Sequence, residues 1–337
     1  MIERFGAGWA VDAAIVGVTF NRAGKIAAYA AGDGVVQLHG PGVGEPKLVT
    51  AHPDAGALVV AQDVTEGGFL TGGDDGRLVR IGADGSAQEV VGFGGAWVEH
   101  VASHDESGLI VAGVGKKAHL LSPKGQRAVE HASTVGGVAI APNGKRLAVA
   151  HYGGVSLWWT GSEGPPRVLV WKGSHIAITW SPDGKYVVTA TQDRELHGWR
   201  LADSQDMRMS GYAGKANSLS WCDKPASLAT SGADVAVIWP FAGKDGPMGK
   251  PPVELGGGNQ VLVTQVAFDP AAASIVLGFD DGTIERVILS DGNRQTIRAA
   301  GGGRIVALAW SPDGRFLAFG GENGACGLVD IAAADAG

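Results

Sequence analysis

Short runs of alternating apolar and polar residues, each closed by a turn, fill this chain, and no long stretch carries the period of a helix. Val18 and Phe20 end one such run, and Ile178 and Trp180 another. The turn that follows is rich in Pro, Asp, Asn or Gly, most plainly in the two W-S-P-D-G stretches at Trp180 and Trp310. A run of small apolar residues comes next, as in KYVVTAT and RFLAFGG. It leads to a second turn, often Asp33-Gly34, Asp75-Gly76, Asp281-Gly282 or Asn323-Gly324. Asp-Gly and Asn-Gly between apolar runs mark tight hairpins, because both central residues tolerate positive φ. A third run frequently ends on an aromatic residue (Trp158, Trp199, Trp239), and a more polar fourth run closes the unit. Each unit therefore predicts a four-stranded antiparallel meander.

The unit recurs. With Ser181 as a ruler, its counterparts are Asn21, Gln62, Ser103, Ala141, Cys222, Asp269 and Ser311, spaced by 38 to 47 residues. Eight copies at a period near forty predict an all-β fold of eight four-stranded blades around one axis, with seven as the alternative if weak copies are miscounted. The last copy supplies three strands and stops near Asp330, so residues 1–14 are expected to close the ring, with the closing strand within Ile2 to Ala10. The longest step contains a Gly/Pro-rich insertion at 241–260, read as a flexible loop.

The pattern resembles the WD-repeat β-propellers over essentially the whole chain. The family's Trp-Asp that ends a blade stands here as Trp158-Trp159, Trp199-Arg200 and Trp239-Pro240, and its Gly-His survives in part as His52 and His131. The buried network that the resemblance implies falls on Thr71 with Asp75, and on Thr189 with Asp193 near Trp199. It also implies a rigid, non-catalytic platform for protein partners.

Composition narrows the alternatives. The 55 glycines are dispersed, which fits many turns rather than a disordered tail. The formal net charge is −7 and no basic stripe appears, so no nucleic-acid partner is expected. No apolar run reaches membrane-spanning length and no secretory leader is recognisable, so a cytoplasmic location without membrane contact is expected. Cys222 and Cys326 have no metal-ligand spacing and are expected as free thiols.

Candidate chemistry is sparse. GKDGPMGKPP, from Gly243, lacks phosphate-loop spacing. The carboxylate pairs Asp74-Asp75 and Asp280-Asp281 fall where the repeat demands a turn. His100, His104 and His119 share the third repeat and are the only suggestion of a metal site. Neither a cofactor nor catalytic residues are expected. A metal- or ligand-handling accessory protein, or a metal-assisted hydrolase or lactonase sited in the channel, remain the alternatives to a scaffold.

Departures from the repeat supply the candidate site. Six residues before the ruler the copies read Ile15, Gly56, Trp97, Val135, His175, Ala216, Val263 and Ile305, where Trp97 and His175 stand out. At the second turn the third copy has Lys116 and Lys117, the fourth has His151 and Tyr152, and the fifth has Gln192 and Arg194. Both positions open on one end of a propeller. These eight residues are thus expected to form a partner-binding patch across the third to fifth repeats.

Overall fold

The structure, a computed structural model, describes residues 6–336. The central strands are the ones written with small apolar residues: Ala27–Ala31, Phe69–Gly73, Leu109–Val114, Tyr186–Thr191 and Ser274–Phe279 are buried at every position. A strand that must hide both faces loses strict alternation, and alanine and glycine let neighbouring sheets approach. Gly72 shows how closely, since a Cβ there would lie 2.4 Å from the Val98 carbonyl oxygen. The core is correspondingly divided into clusters between adjacent sheets, such as Ala28, Val36 and Leu38 against Phe69, Val79 and Ile81. The innermost strands pack on one another in order, the fifth repeat meeting the sixth through Ile176 and Ala177 with Leu219 and Trp221, and Ile15–Phe20 returns to pack on Ile305–Trp310, so the ring is closed.

The expectation of eight separate four-stranded blades is corrected. Hydrogen bonding joins the strands into seven sheets, six of four strands and one of six. The six-stranded sheet takes in both the fourth and fifth copies of the repeat. Its local cause is the pair of long strands Arg146–Trp159 and Arg167–Trp180, which run on where other copies break at a turn. The first folds back on itself, because the Thr160 N–H donates to the Lys145 carbonyl at 3.1 Å. The second pairs with the fourth copy through Arg167–Val170 and with the fifth through His175–Trp180, and the Tyr152–Ser174 pair stitches the two copies together. The repeat count in sequence is therefore not the sheet count.

Gly6–Ala10 pairs antiparallel with Ala325–Asp330, from Gly6 opposite Val329 to Ala10 opposite Ala325. Residues 1–5, part of the expected closing segment, lie outside the described residues. Trp9 anchors this strand: its indole N–H donates to Gln37 Oε1 at 2.8 Å and its ring stacks on His39.

The two W-S-P-D-G stretches make equivalent turns. Ser181 Oγ accepts the Tyr186 N–H at 2.9 Å, and Ser311 Oγ accepts the Phe316 N–H at 2.9 Å. Gly184 and Gly314 take φ of 68° and 70°, which a side chain would strain. The insertion at 241–260 is docked on the body. Tyr186 Oη and the Arg200 guanidinium both donate to the Lys244 carbonyl, Asp245 pairs with Arg200 at 2.9 Å, and Met248 packs on the adjoining core.

Candidate protein-binding face

One end of the ring is defined by backbone hydrogen bonds between the second hairpin turns and the segments that lead from one repeat to the next. The Phe93 N–H donates to the Gly76 carbonyl at 2.8 Å, His131 to Lys116 at 2.9 Å, and Gln192 to Ser174 at 2.9 Å. The sequence-predicted residues all fall at this end, though not in equivalent roles.

Trp97 is 57% exposed on the crossing segment just before the strand Val98–His104. The buried counterpart of Ile15 and Val263 is Val98, which carries the same strand irregularity one residue before His100. The ruler is thus one residue short in the second and third copies, where Asp63 and His104 take the place of Gln62 and Ser103. Trp97 departs from the repeat because it lies outside the strand. The weak turn SHDESG, with no proline to anchor it, hid that shift.

Lys116 and Lys117 are exposed at the turn of the third repeat, and Lys117 faces Glu130 at 3.8 Å. Such an exposed pair contributes little to stability. Tyr152 is 59% exposed, with its N–H donating to Ser133 Oγ at 3.0 Å. Gln192 and Arg194 are exposed, and Arg194 holds a left-handed φ of 61° with its guanidinium donating to the Ala213 carbonyl. His151 is half-buried, its nitrogens engaged by the Tyr152 carbonyl and Ser156 Oγ, both at 2.9 Å.

His175 is different. It is 1% exposed, Nδ1 lies 2.7 Å from Thr189 Oγ1, and Nε2 donates to the Trp171 carbonyl at 3.1 Å. Burial lowers its pKa, only partly offset by that carbonyl. It does for the fifth repeat what His52 does for the second, where Nε2 meets Thr71 Oγ1 at 2.6 Å and Nδ1 meets Asp75 at 3.0 Å. Burial raises the Asp75 pKa, but Arg77 and His52 outweigh it and leave the carboxyl below its ordinary value. Thr189 Oγ1 also stands 3.0 Å from the His197 carbonyl oxygen, while Asp193 is exposed. The surface set therefore contains seven of the eight residues.

Tyr212 was not singled out by sequence. Its hydroxyl accepts the Trp239 indole N–H at 2.7 Å and meets Thr230 Oγ1 at 2.7 Å. It stands ten residues before its ruler, as His131 does before Ala141, so the spacing held the signal although the residue type did not.

The histidines of the third repeat do not converge. His104 contacts Ser107 Oγ and the Pro142 carbonyl, His119 packs on Phe93, and His100 sits partly buried beside Gly113. Among the described residues no group of three or more His, Cys, Asp or Glu side chains is placed to hold a metal ion. Cys222 and Cys326 are unbridged. No helix of the described residues is long and apolar enough to cross a membrane.

Two family descriptions match parts of the chain: "WD domain, G-beta repeat" over residues 167–200, and "Anaphase-promoting complex subunit 4 WD40 domain" over residues 286–336. WD repeat-containing protein 1-B of Xenopus laevis is 28% identical over 152 residues, covering 41% of this chain and 25% of that protein. Cell division cycle 20.1, cofactor of APC complex, of Arabidopsis thaliana is 26% identical over 179 residues, covering 49% of this chain and 38% of that protein. The matches thus span less than half of either relative. In fold, the chain is similar to the computationally designed Ika8 protein (TM-score 0.76, 18% identity, 96% of this chain and 98% of that one). It is also similar to the C-terminal WD40 domain of Sif2 (TM-score 0.75, 16% identity, 95% and 96%).

Proposed function

We propose that this chain, a member of the WD-repeat β-propeller family, is a non-catalytic scaffold that binds a protein partner through the end carrying Trp97 and Tyr152. The family's fold serves protein interaction in general; the face and the residues are the further step. One observation supports it: two large aromatic side chains stand more than half exposed at the same end, where Lys116, Lys117 and Arg194 are exposed too. Aromatic residues with nearby cations are the usual anchors of protein interfaces. Two of the matches bear names from one multisubunit complex, which favours a partner that is itself a subunit of an assembly.

The test is capture of a partner from native lysate by the wild-type chain, followed by Trp97→Ala, Tyr152→Ala and Lys117→Glu. An anchor aromatic contributes about 2 kcal/mol or more, which is roughly a thirtyfold loss of affinity. Each aromatic variant is expected to lose the partner while its melting midpoint stays within about 2 °C of wild type. Undiminished capture by both variants would refute the assignment of the face.

A further inference from the structure

The last strand of each repeat presents an edge to solvent, and proteins guard such edges with charged or polar side chains. Most outer strands here do so. Exposed positions carry Lys47 and Thr50 beside Leu48, Gln126 and Glu130, Asp206 and Arg208, or Glu254 beside Val253. The stretch Arg167–Trp171 departs from this. Its outward row is Val168, 51% exposed, and Val170, 74% exposed, while Leu169 between them is buried.

Along this stretch the backbone is paired on one side only. Arg167–Val170 pairs with Gly154–Leu157, and the pairing with Tyr186–Thr191 begins at His175. At the upper limit of the free edge, the Trp171 carbonyl is occupied by His175 Nε2. Cations stand at both ends. Lys172, two residues beyond Val170, is exposed, and exposed Arg167 opens the strand with its guanidinium donating to the Leu201 carbonyl at 2.8 Å.

We propose that this edge receives an extended peptide segment of a partner protein, which adds as a further strand beside Arg167–Trp171. Main-chain hydrogen bonds supply the affinity in this mode, and alternate side chains supply the selection. The segment that fits has apolar side chains at alternate positions, to cover Val168 and Val170, and a carboxylate at each end, to meet Arg167 and Lys172. Because both ends of the edge are basic, the charge pattern suits either strand direction. This edge is separate from the face around Trp97 and offers a partner its backbone groups.

The probe is Glu-Val-Thr-Val-Thr-Glu-amide carrying fluorescein on its N-terminal nitrogen, titrated into the full chain by fluorescence anisotropy, with hydrogen exchange read at residues 167–171. Saturable binding with slowed exchange at those amides is expected. N-methylation of both valines removes backbone donors and is expected to weaken binding at least tenfold. Val170→Glu and Lys172→Glu are each expected to weaken it at least tenfold with an unchanged melting midpoint, and of two probes with lysine in place of one glutamate, the one whose lysine faces residue 172 is expected to regain affinity for Lys172→Glu. Absence of saturable binding overturns the proposal, as does equal binding of the N-methylated probe or indifference to both substitutions. A concentration-dependent dimer of the chain alone that Val170→Glu dissociates would assign the edge to a second copy and overturn it too.

Discussion

Replacing Tyr212 with phenylalanine tests how a repeat with neither of the expected histidines holds itself together. Thr230 Oγ1 donates to the Val237 carbonyl at 3.1 Å, so it must accept from Tyr212. The chain of donors then runs from the Trp239 indole N–H to the Tyr212 hydroxyl, to Thr230, to the Val237 carbonyl. All three side chains are buried. Tyr212→Phe deletes two hydrogen bonds and strands an indole N–H away from water. Two net hydrogen bonds of about 1 kcal/mol each, plus desolvation of an unmet donor, give a loss of about 3 kcal/mol. With an unfolding entropy of about 2.1 cal/mol/K per residue, the 337 residues lower the midpoint by about 1.4 °C per kcal/mol, or about 4 °C in all. Trp239→Phe removes the stranded donor, so the double variant should be less destabilised than the sum of the two singles by about 1–2 kcal/mol. Denaturant melts of the four proteins measure this coupling. A Tyr212→Phe loss under about 0.5 kcal/mol, or strict additivity in the cycle, would refute the reasoning.

Acid should weaken the fold through His197, whose pKa burial lowers to about 4 while Asp206, at 3.2 Å, partly offsets it. The unfolded chain takes up that proton first, so stability present above about pH 6.5 is lost as the pH falls toward 4. The contribution is on the order of 3 kcal/mol. Denaturant midpoints from pH 7 to 4.5 should therefore fall less steeply in His197→Phe than in wild type, and equal slopes would contradict this assignment. Ser181→Ala and Ser311→Ala each remove the acceptor of a turn N–H and should each cost about 1–2 kcal/mol, additively because the turns lie in different sheets. Deleting residues 1–10 removes the strand beside Ala325–Asp330 together with Trp9, and should lower the thermal midpoint more than Trp9→Ala alone, itself about 2 kcal/mol for a half-buried indole. A truncated chain that melts with wild type would exclude a closing role for that strand.

The repeat, the strand runs and the first hairpin turns that carry Pro-Asp-Gly were legible because each is local. Ser181 and Ser311 sit beside the Pro-Asp-Gly that bends the chain, so spacing alone located them. The W-S-P-D-G turns and the small-residue central strands needed no knowledge of neighbours beyond the fact that both faces would be covered. Aromatic and basic departures around the third to fifth repeats were also visible, and they lie at one end of the ring.

What the sequence by itself determined was therefore a unit and its repetition. Tertiary structure decided how many sheets those units make, because strand continuity through Tyr152–Gly154 and Trp171–Ser174 depends on pairing between copies. It also decided which departures face water. Trp97 and His175 occupied the same aligned position, yet one lies on a crossing segment in solvent and the other bonds Thr189 inside the ring. A one-residue register shift reverses a strand side chain from core to surface, and the third copy had no proline turn to fix its register. The bare edge at Val168 and Val170 became visible for the same reason: exposure of an outer strand depends on what packs beside it, which no single stretch of sequence encodes.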